Sequence, residues 1–180
     1  MFRGYWDNAA ATEDVLADDG WLRTGDLGEF DGDGYLRITG RKKELIVTAS
    51  GKNVLPAEIE NRVLAHPLIS QCMIVGDGQP FVAALVTLDA AAVRDWRSRR
   101  GAASSPGDAV SADPELHSEV QAAIDEANQA VSRAESIRKF VILPDEFSQQ
   151  DGELTPTLKL KRDVVAKRYA AEIENLYQQS

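Results

Sequence analysis

Four short stretches hold residues whose types and spacing could do chemistry. In GWLRTGDLGEF, Asp26 follows Thr24-Gly25 at a turn. A carboxylate there can accept two hydrogen bonds at once, the geometry a ribose cis-diol offers, although a turn Asp can also bond its own backbone. ITGRKKELIVTASGKNVLPAEIE sets Arg41, Lys42 and Lys43 in succession. This cation cluster stands out in an acidic chain, against the alternative of a solvated linker face. Further along the same stretch, Gly51 in ASGKN supplies positive φ to a strand-to-helix loop. GELTPTLKLKRD carries a tight Thr-Pro-Thr turn followed by Lys159, Lys161 and Arg162. A loop lysine can be delivered to a phosphate or carboxylate whose charge grows in a transition state; a helix-flanking charge run is the alternative. The spacing of a Walker A loop is absent. The fourth stretch is the histidine pair, His66 in AHP and His117 in LHS, with no carboxylate or second His at ligand spacing. Surface or capping roles follow for both, with no nucleophile triad and no metal site.

Those residues sit in a chain of 180 with 20 Lys plus Arg against 29 Asp plus Glu, a net charge of −9. A diffuse electrostatic grip on nucleic acid or anionic lipid is disfavoured, so any anion must be held locally. The lone Cys72 makes no intrachain disulfide and no multi-Cys zinc site, and is compatible with a reducing compartment. The N-terminus lacks a basic start followed by an apolar run, and no stretch reaches the ~18 apolar residues of a membrane span. The expectation is a soluble, cytoplasmic protein.

Positioning falls to the elements around these stretches. A short helix is predicted over 12–17, then a β-hairpin of LGEF and YLRIT across Asp31-Gly32-Asp33-Gly34, since Asp-Gly pairs supply the backbone that tight turns need. A calcium loop at DGDG is disfavoured because Tyr35 stands where an oxygen ligand belongs and the terminal Glu is missing. A strand is predicted over 44–49, a turn at Ser50-Gly51, and a helix opened by Pro56 with Ile59, Val63 and Leu64 inward. Two long strands follow, 69–75 and 81–88, parted by GDGQP, then a helix over 90–99. Residues 102–112 read as an exposed connection. Asp113-Pro114 caps a helix with Leu116, Val120, Ile124, Ala127 and Val131 on one face. A strand over 137–143, an acidic loop over 144–157 and an amphipathic helix over 162–177 complete the chain, the last with Val165, Tyr169, Ile173 and Leu176 inward. The closing ENLYQQS is close to a protease-site scar, while AEIENLY also completes the helix pattern. Strands and helices interleave without a regular β-then-α rhythm, which predicts an α+β fold from about residue 42: a small antiparallel or mixed sheet flanked by helices and preceded by a short acidic hairpin.

Taken in order, GWLRTGD, YLRITGRKKELIVTASGKNVLPAEIE and LTPTLKLKR resemble the acyl-adenylate-forming enzymes, and closely the long-chain fatty acyl-CoA synthetases. The similarity runs from RGYWDN to the final helix. It implies that residues 1–41 are the end of a large adenylate-forming domain and that 42–180 are the small mobile C-terminal domain. Asp26 would hold the ribose hydroxyls of ATP and of the acyl-adenylate, and Arg41 would reach the same ribose. Lys43 would be the hinge, Gly51 the loop glycine beside the pantetheine arm of CoA, and Lys159 the catalytic lysine of adenylation. Many relatives place Gly immediately before that lysine, whereas Leu158 stands here, and Lys161 lies two residues on, so Lys159 rests on motif register. The resemblance further implies ATP and CoA as substrates, Mg2+ travelling with ATP, a fatty acid, and the chain's own large domain as partner. That large domain would bring the phosphate loop, acyl tunnel and adenine pocket, so the expectation is a C-terminal piece inactive alone and possessing no transmembrane segment, in the cytoplasm or peripheral at the membrane. Another adenylate-forming enzyme, such as an aryl-CoA ligase or a peptide-synthetase adenylation domain, and a non-enzymatic protein-interaction module are the alternatives.

Overall fold

A computed structural model describes residues 2–17, 19–100 and 113–178. The chain divides into two compact units, Met1–Leu45 and Ile46–Ser180. Their border falls at the end of the GRKKEL segment, between Leu45 and Ile46, a few residues after the expected division at 41/42.

In the first unit, helix α1 (Ala9–Val15) is capped by Asn8, whose side chain accepts from the Ala11 amide. It begins and ends earlier than the predicted 12–17 because Asn8 satisfies the orphan amides ahead of the alanine run. Strands β1 (Asp26–Phe30) and β2 (Leu36–Arg41) form the predicted antiparallel hairpin. Asp31 organises its turn, taking the Asp33 and Tyr35 amides on Oδ1. A bulge between Leu27 and Gly28 shifts the register, so that Asp26 pairs with Arg41 and Gly28 with Ile38. Only glycine fits at 28, where a Cβ would come within 2.9 Å of the Arg37 carbonyl oxygen.

A single 3-10 turn, Lys42–Glu44, closes the first unit, and the second opens with a two-residue strand β3 (Ile46–Val47) paired with β4 (Asn53–Val54). The strand expected over 44–49 is therefore much shorter. Thr48 is buried, and its hydroxyl takes the Lys52 amide, which turns the chain before the apolar run can extend. Helix α2 (Pro56–Val63) follows with Ile59 and Val63 buried, whereas Leu64 lies at its C-cap and is exposed, contrary to expectation.

Strands β5 (Ile69–Val75), β6 (Val82–Leu88) and β7 (Ile137–Ile142) form one sheet, in that order, with β5 antiparallel and β7 parallel to β6. The parallel pairing is made possible by α3 (Ala90–Arg99) and α4 (Pro114–Asn128), which span the crossover. The predicted 102–112 connection lies outside the described residues. All of β6 is buried, which explains its unbroken apolar sequence. Its one polar member, Thr87, donates to Gln71 Oε1 at 3.1 Å. Alternate residues split between two cores. Cys72, Ile74, Val82, Ala84 and Val86 meet α2 and α4 on one face; Met73, Val75, Ala83 and Leu85 meet Phe147, Val165, Tyr169 and Leu176 on the other.

The last predicted helix is two, α5 (Arg162–Arg168) and α6 (Ala170–Gln178). They part at Tyr169 (φ −101, ψ 30), whose ring is buried beside Phe147. Neither Pro nor Gly marks the break. Leu176 is buried and the Tyr177 hydroxyl donates to the Val75 carbonyl at 3.3 Å, so the helix pattern of AEIENLY is used in packing. The α+β class and mixed sheet agree with the sequence reading.

Candidate functional site

Three local structures hold the predicted site residues. In the first unit the bulged register puts Asp26 opposite Arg41, and Arg41 Nε lies 3.1 Å from Asp26 Oδ1. Thr24 Oγ1 takes the Asp26 amide and the Gly25 carbonyl takes the Lys42 amide, which fixes the turn at one strand end and the cation at the other. The Arg41 side chain is 63% exposed and that of Asp26 29%. An ion pair this open is worth about 0.2–1 kcal/mol, so an arriving diol can compete for the carboxylate without a large penalty. Lys43 sits in the 3-10 turn, exposed, and no residue of that turn is buried.

Gly51 lies at the tip of the β3–β4 hairpin with φ +78, and its amide donates to the Thr48 carbonyl at 2.8 Å. Nothing stands within 4 Å of where its Cβ would be. The hairpin is tied down on both sides of that tip. Val47 and Ala49 exchange backbone bonds with Gly78 and Gln79, and the Lys52 ammonium is 3.6 Å from Glu135. Glu135 is held below the usual carboxylate range, chiefly by the Ser132 hydroxyl and further by the Ser132 amide and Lys52.

Lys159 lies on a second tight hairpin. The Thr155 amide donates to the Lys159 carbonyl at 2.8 Å, and the Lys159 amide donates to Thr155 Oγ1 at 2.9 Å. Between them Pro156 and Thr157 make a turn closed by the Leu158 amide on the Thr155 carbonyl. Leu158 has φ +61. This is the three-residue loop in which the third position is left-handed and normally glycine. The Lys159 side chain is exposed and forms no ion pair among the described residues. Lys161 is also exposed, but its amide is committed to the Glu153 carbonyl at 2.8 Å and it occupies the N-cap of α5.

The two hairpins of the second unit are rooted on opposite faces of the sheet. Ile46 and Val54 beside Gly51 pack with Cys72 and Ile74; Leu154 and Leu160 beside Lys159 pack with Met73 and Val75. Asp26 and Arg41 are thus brought together, while Gly51 and Lys159 are held apart by the sheet between them.

Two buried carboxylates, Glu153 at the base of the Lys159 hairpin and Glu60 on α2, were not singled out by sequence. Glu153, 1% exposed, takes the Ser148 amide on Oε2, and its Oε1 lies 3.3 Å from Arg168 without the alignment of a hydrogen bond. Glu60, 8% exposed, is held by Arg162. The visible signal for Glu60 was a carboxylate at an otherwise apolar helix register, with Ile59 and Val63; Glu153, in a polar turn, gave none. Burial pushes the Cys72 thiol far up, with the Glu60 carboxylate adding to the shift, so this cysteine is chemically quiet. His66 accepts the Leu68 amide at Nδ1, 3.4 Å away, and His117 stacks on Phe140, in keeping with capping and surface roles. Among the described residues no group of three or more His, Cys, Asp or Glu could hold a metal ion. Nor is any described helix long and apolar enough to cross a membrane.

A mixed three-stranded sheet with helices on both faces, carrying a glycine hairpin on one face and a lysine hairpin on the other, makes the second unit an α+β domain. The chain belongs to the AMP-binding enzymes: the family model for the AMP-binding enzyme C-terminal domain matches residues 43–180. Over 179 residues it is 55% identical to the long-chain-fatty-acid–CoA ligase FadD15 of Mycobacterium tuberculosis, covering 98% of this chain and 30% of that protein. It is 41% identical over 195 residues to the long-chain-fatty-acid–CoA ligase ACSBG2 of Gallus gallus, covering 98% and 26%. The adenylation domain of a carboxylate reductase from Mycobacterium chelonae shares the fold with a TM-score of 0.79 at 24% identity, over 99% of this chain and 26% of that one. The chain therefore spans less than a third of the length of these relatives.

Proposed function

We propose that this chain is the C-terminal part of an ATP-dependent long-chain fatty acid–CoA ligase and is inactive by itself. The carrying observation is the 55% identity to such a ligase across 98% of the chain, which includes all five predicted site residues. In the first half-reaction a fatty carboxylate oxygen attacks the α-phosphorus of ATP, the bond to the β-phosphate oxygen breaks, and pyrophosphate leaves. Two anions must meet there. Lys159, exposed on a tied hairpin and without an ion-pair partner among the described residues, is suited to neutralise that encounter. Asp26 accepts the ribose hydroxyls, with Arg41 beside it. In the second half-reaction the thiol of CoA attacks the acyl carbonyl and AMP departs. The Gly51 hairpin then needs to face the site in place of Lys159, and their placement on opposite faces of one sheet suits a rotation about the Lys43 turn.

The acyl substrate, CoA, ATP with its Mg2+, and the large domain as partner belong to this reading, as does a location in the cytoplasm or at a membrane surface. Trp6, Trp21, Phe30, Tyr35 and Ile38 are exposed in the first unit, which supports their being an edge of that larger domain. In the full-length ligase, Lys159→Ala should lower acid-dependent exchange of pyrophosphate into ATP by ~10²–10³-fold while thioester formation from supplied acyl-adenylate survives. Equal loss of both half-reactions would overturn the role of Lys159. Robust acyl-CoA formation by the purified 180-residue chain would overturn the proposal that it needs a larger body.

A further inference from the structure

The Lys159 hairpin is anchored by a buried ion pair whose two members come from distant parts of the chain. Arg162 is the first residue of α5, three positions after Lys159. Its Nη2 donates to both oxygens of Glu60 on α2, at 2.7 Å to Oε1, while Nη1 donates to the Ile74 carbonyl at 3.3 Å. Glu60 Oε1 also takes the Ile74 amide at 2.7 Å. One fork thus joins α2, the end of β5 and the point where the hairpin enters α5. The Arg162 side chain is 22% exposed and that of Glu60 10%, so the pair is well shielded from water. A stem arginine held this way can serve two purposes: it can simply fasten α5 to the body, or it can set the direction in which the hairpin presents its lysine.

We propose that Glu60 and Arg162 form a positioning pair for Lys159, fixing the base of its hairpin so that the ammonium meets the reacting phosphate during adenylation. This rests on the role given to Lys159 above. The geometry favours positioning over simple fastening for two reasons. The α5–α6 segment already has its own apolar anchors, Val165, Tyr169 and Leu176, all buried. The hairpin's two strands are already held by the Glu153 side chain on the Ser148 amide and by the Lys161 amide on the Glu153 carbonyl, so Arg162 adds a tie of another kind, from the end of the Lys159 strand across to α2 and β5. One guanidinium nitrogen bonds the carboxylate and the other the Ile74 carbonyl, so the planar group is fixed in direction and transmits orientation as well as attraction.

The test uses the full-length ligase and three variants. Glu60→Gln keeps an acceptor for the Ile74 amide but loses the charge. Glu60→Gln combined with Arg162→Gln leaves no lone buried charge and so guards against unfolding. Lys159→Ala is the reference. Each is assayed for pyrophosphate exchange and, separately, for thioester formation from supplied acyl-adenylate. In the double variant the kcat of exchange should fall ~10- to 100-fold, with KM for ATP within about twofold and the thioester step nearly unchanged, as expected when a catalytic group is displaced by about an ångström. A parallel loss in both half-reactions, or no loss in exchange, overturns the positioning role while Lys159→Ala still blocks exchange. Should Lys159→Ala itself leave exchange intact, the role of Lys159 fails and this inference with it.

Discussion

Leu158 is the residue at which sequence and backbone are most at odds. Its φ of +61 is a conformation that favours glycine, and its side chain is 67% exposed, so packing does not explain why leucine is tolerated. The loop explains it: Pro156 presets the first turn position, and the Thr155 hydroxyl and carbonyl take the Lys159 and Leu158 amides, which over-determines the backbone. Left-handed backbone costs a leucine ~1–2 kcal/mol, while glycine adds ~0.5–1 kcal/mol of unfolded-state entropy. Leu158→Gly should therefore leave the thermal midpoint unchanged or raise it slightly, and Leu158→Val should lower it, since a β-branched residue fits positive φ worst. A melting series over the parent and both variants decides this. A glycine variant clearly less stable than the parent would mean that the leucine side chain carries a contact not accounted for by its exposure. The sequence already showed the tight Thr-Pro-Thr turn and the missing glycine. It could not show that the leucine would take the glycine's conformation, because hydrogen bonds from neighbours, and not the residue's own preference, decide it.

Among the elements, α4 shows how a local signal can be sufficient. Asp113-Pro114 was legible as a cap, and in the structure Asp113 Oδ1 takes the Glu115 and Leu116 amides while Arg97 donates to Oδ2 at 2.7 Å. The Arg97 bond, aided by those amides and the guanidinium charge, holds the Asp113 carboxyl below its ordinary value of 3.8. A depressed folded pKa contributes stability at pH above 3.8 and loses it as pH falls through the lower folded value. Asp113→Asn should keep the cap but lose this acid dependence, so parent and variant should converge in stability as pH drops below 3.8. Asp113→Ala should lose ~1 kcal/mol or more at neutral pH. Urea titrations from pH 7 down to 3 would show both, and a parent–Asn gap independent of pH would refute the assignment. Other elements were less legible for physical reasons. The apolar run after Glu44 has the composition of a strand, but Thr48 folds it back through side-chain bonds that periodicity ignores. The break at Tyr169 leaves the 3–4 spacing of Val165, Ile173 and Leu176 intact, so one helix or two give the same pattern. The parallel neighbour of β6 lies beyond two helices in sequence, and no local rule names it. Asp26, Arg41, Gly51 and Lys159 became candidates through motif order and the resemblance it carries, whereas Glu60 is tied to a partner 102 residues away that no local pattern marks.

At the scale of the whole molecule, the two units differ in what holds them. Both apolar cores lie within Ile46–Ser180, whereas none of the described residues of Met1–Leu45 is buried. The second unit thus carries its own stabilising interior, and its two hairpins stand on opposite sides of that interior. If a rotation presents them in turn, damage to one should spare the half-reaction served by the other. Lys159→Ala tests one side; the other needs a substitution at Gly51 that adds bulk without adding strain. Asn is suited to this because it tolerates φ near +78 better than other side chains, and the open space around the missing Cβ means that the domain itself will accept it. In the full-length ligase Gly51→Asn should slow thioester formation from supplied acyl-adenylate by about tenfold or more, as expected where backbone must approach a ligand closely, and leave pyrophosphate exchange within about twofold. The paired result, each variant silent in the half-reaction that the other cripples, is what alternation requires. Gly51→Asn that slowed both half-reactions alike would mean that the two loops work in a single arrangement, and the rotation about Lys43 would have to be abandoned.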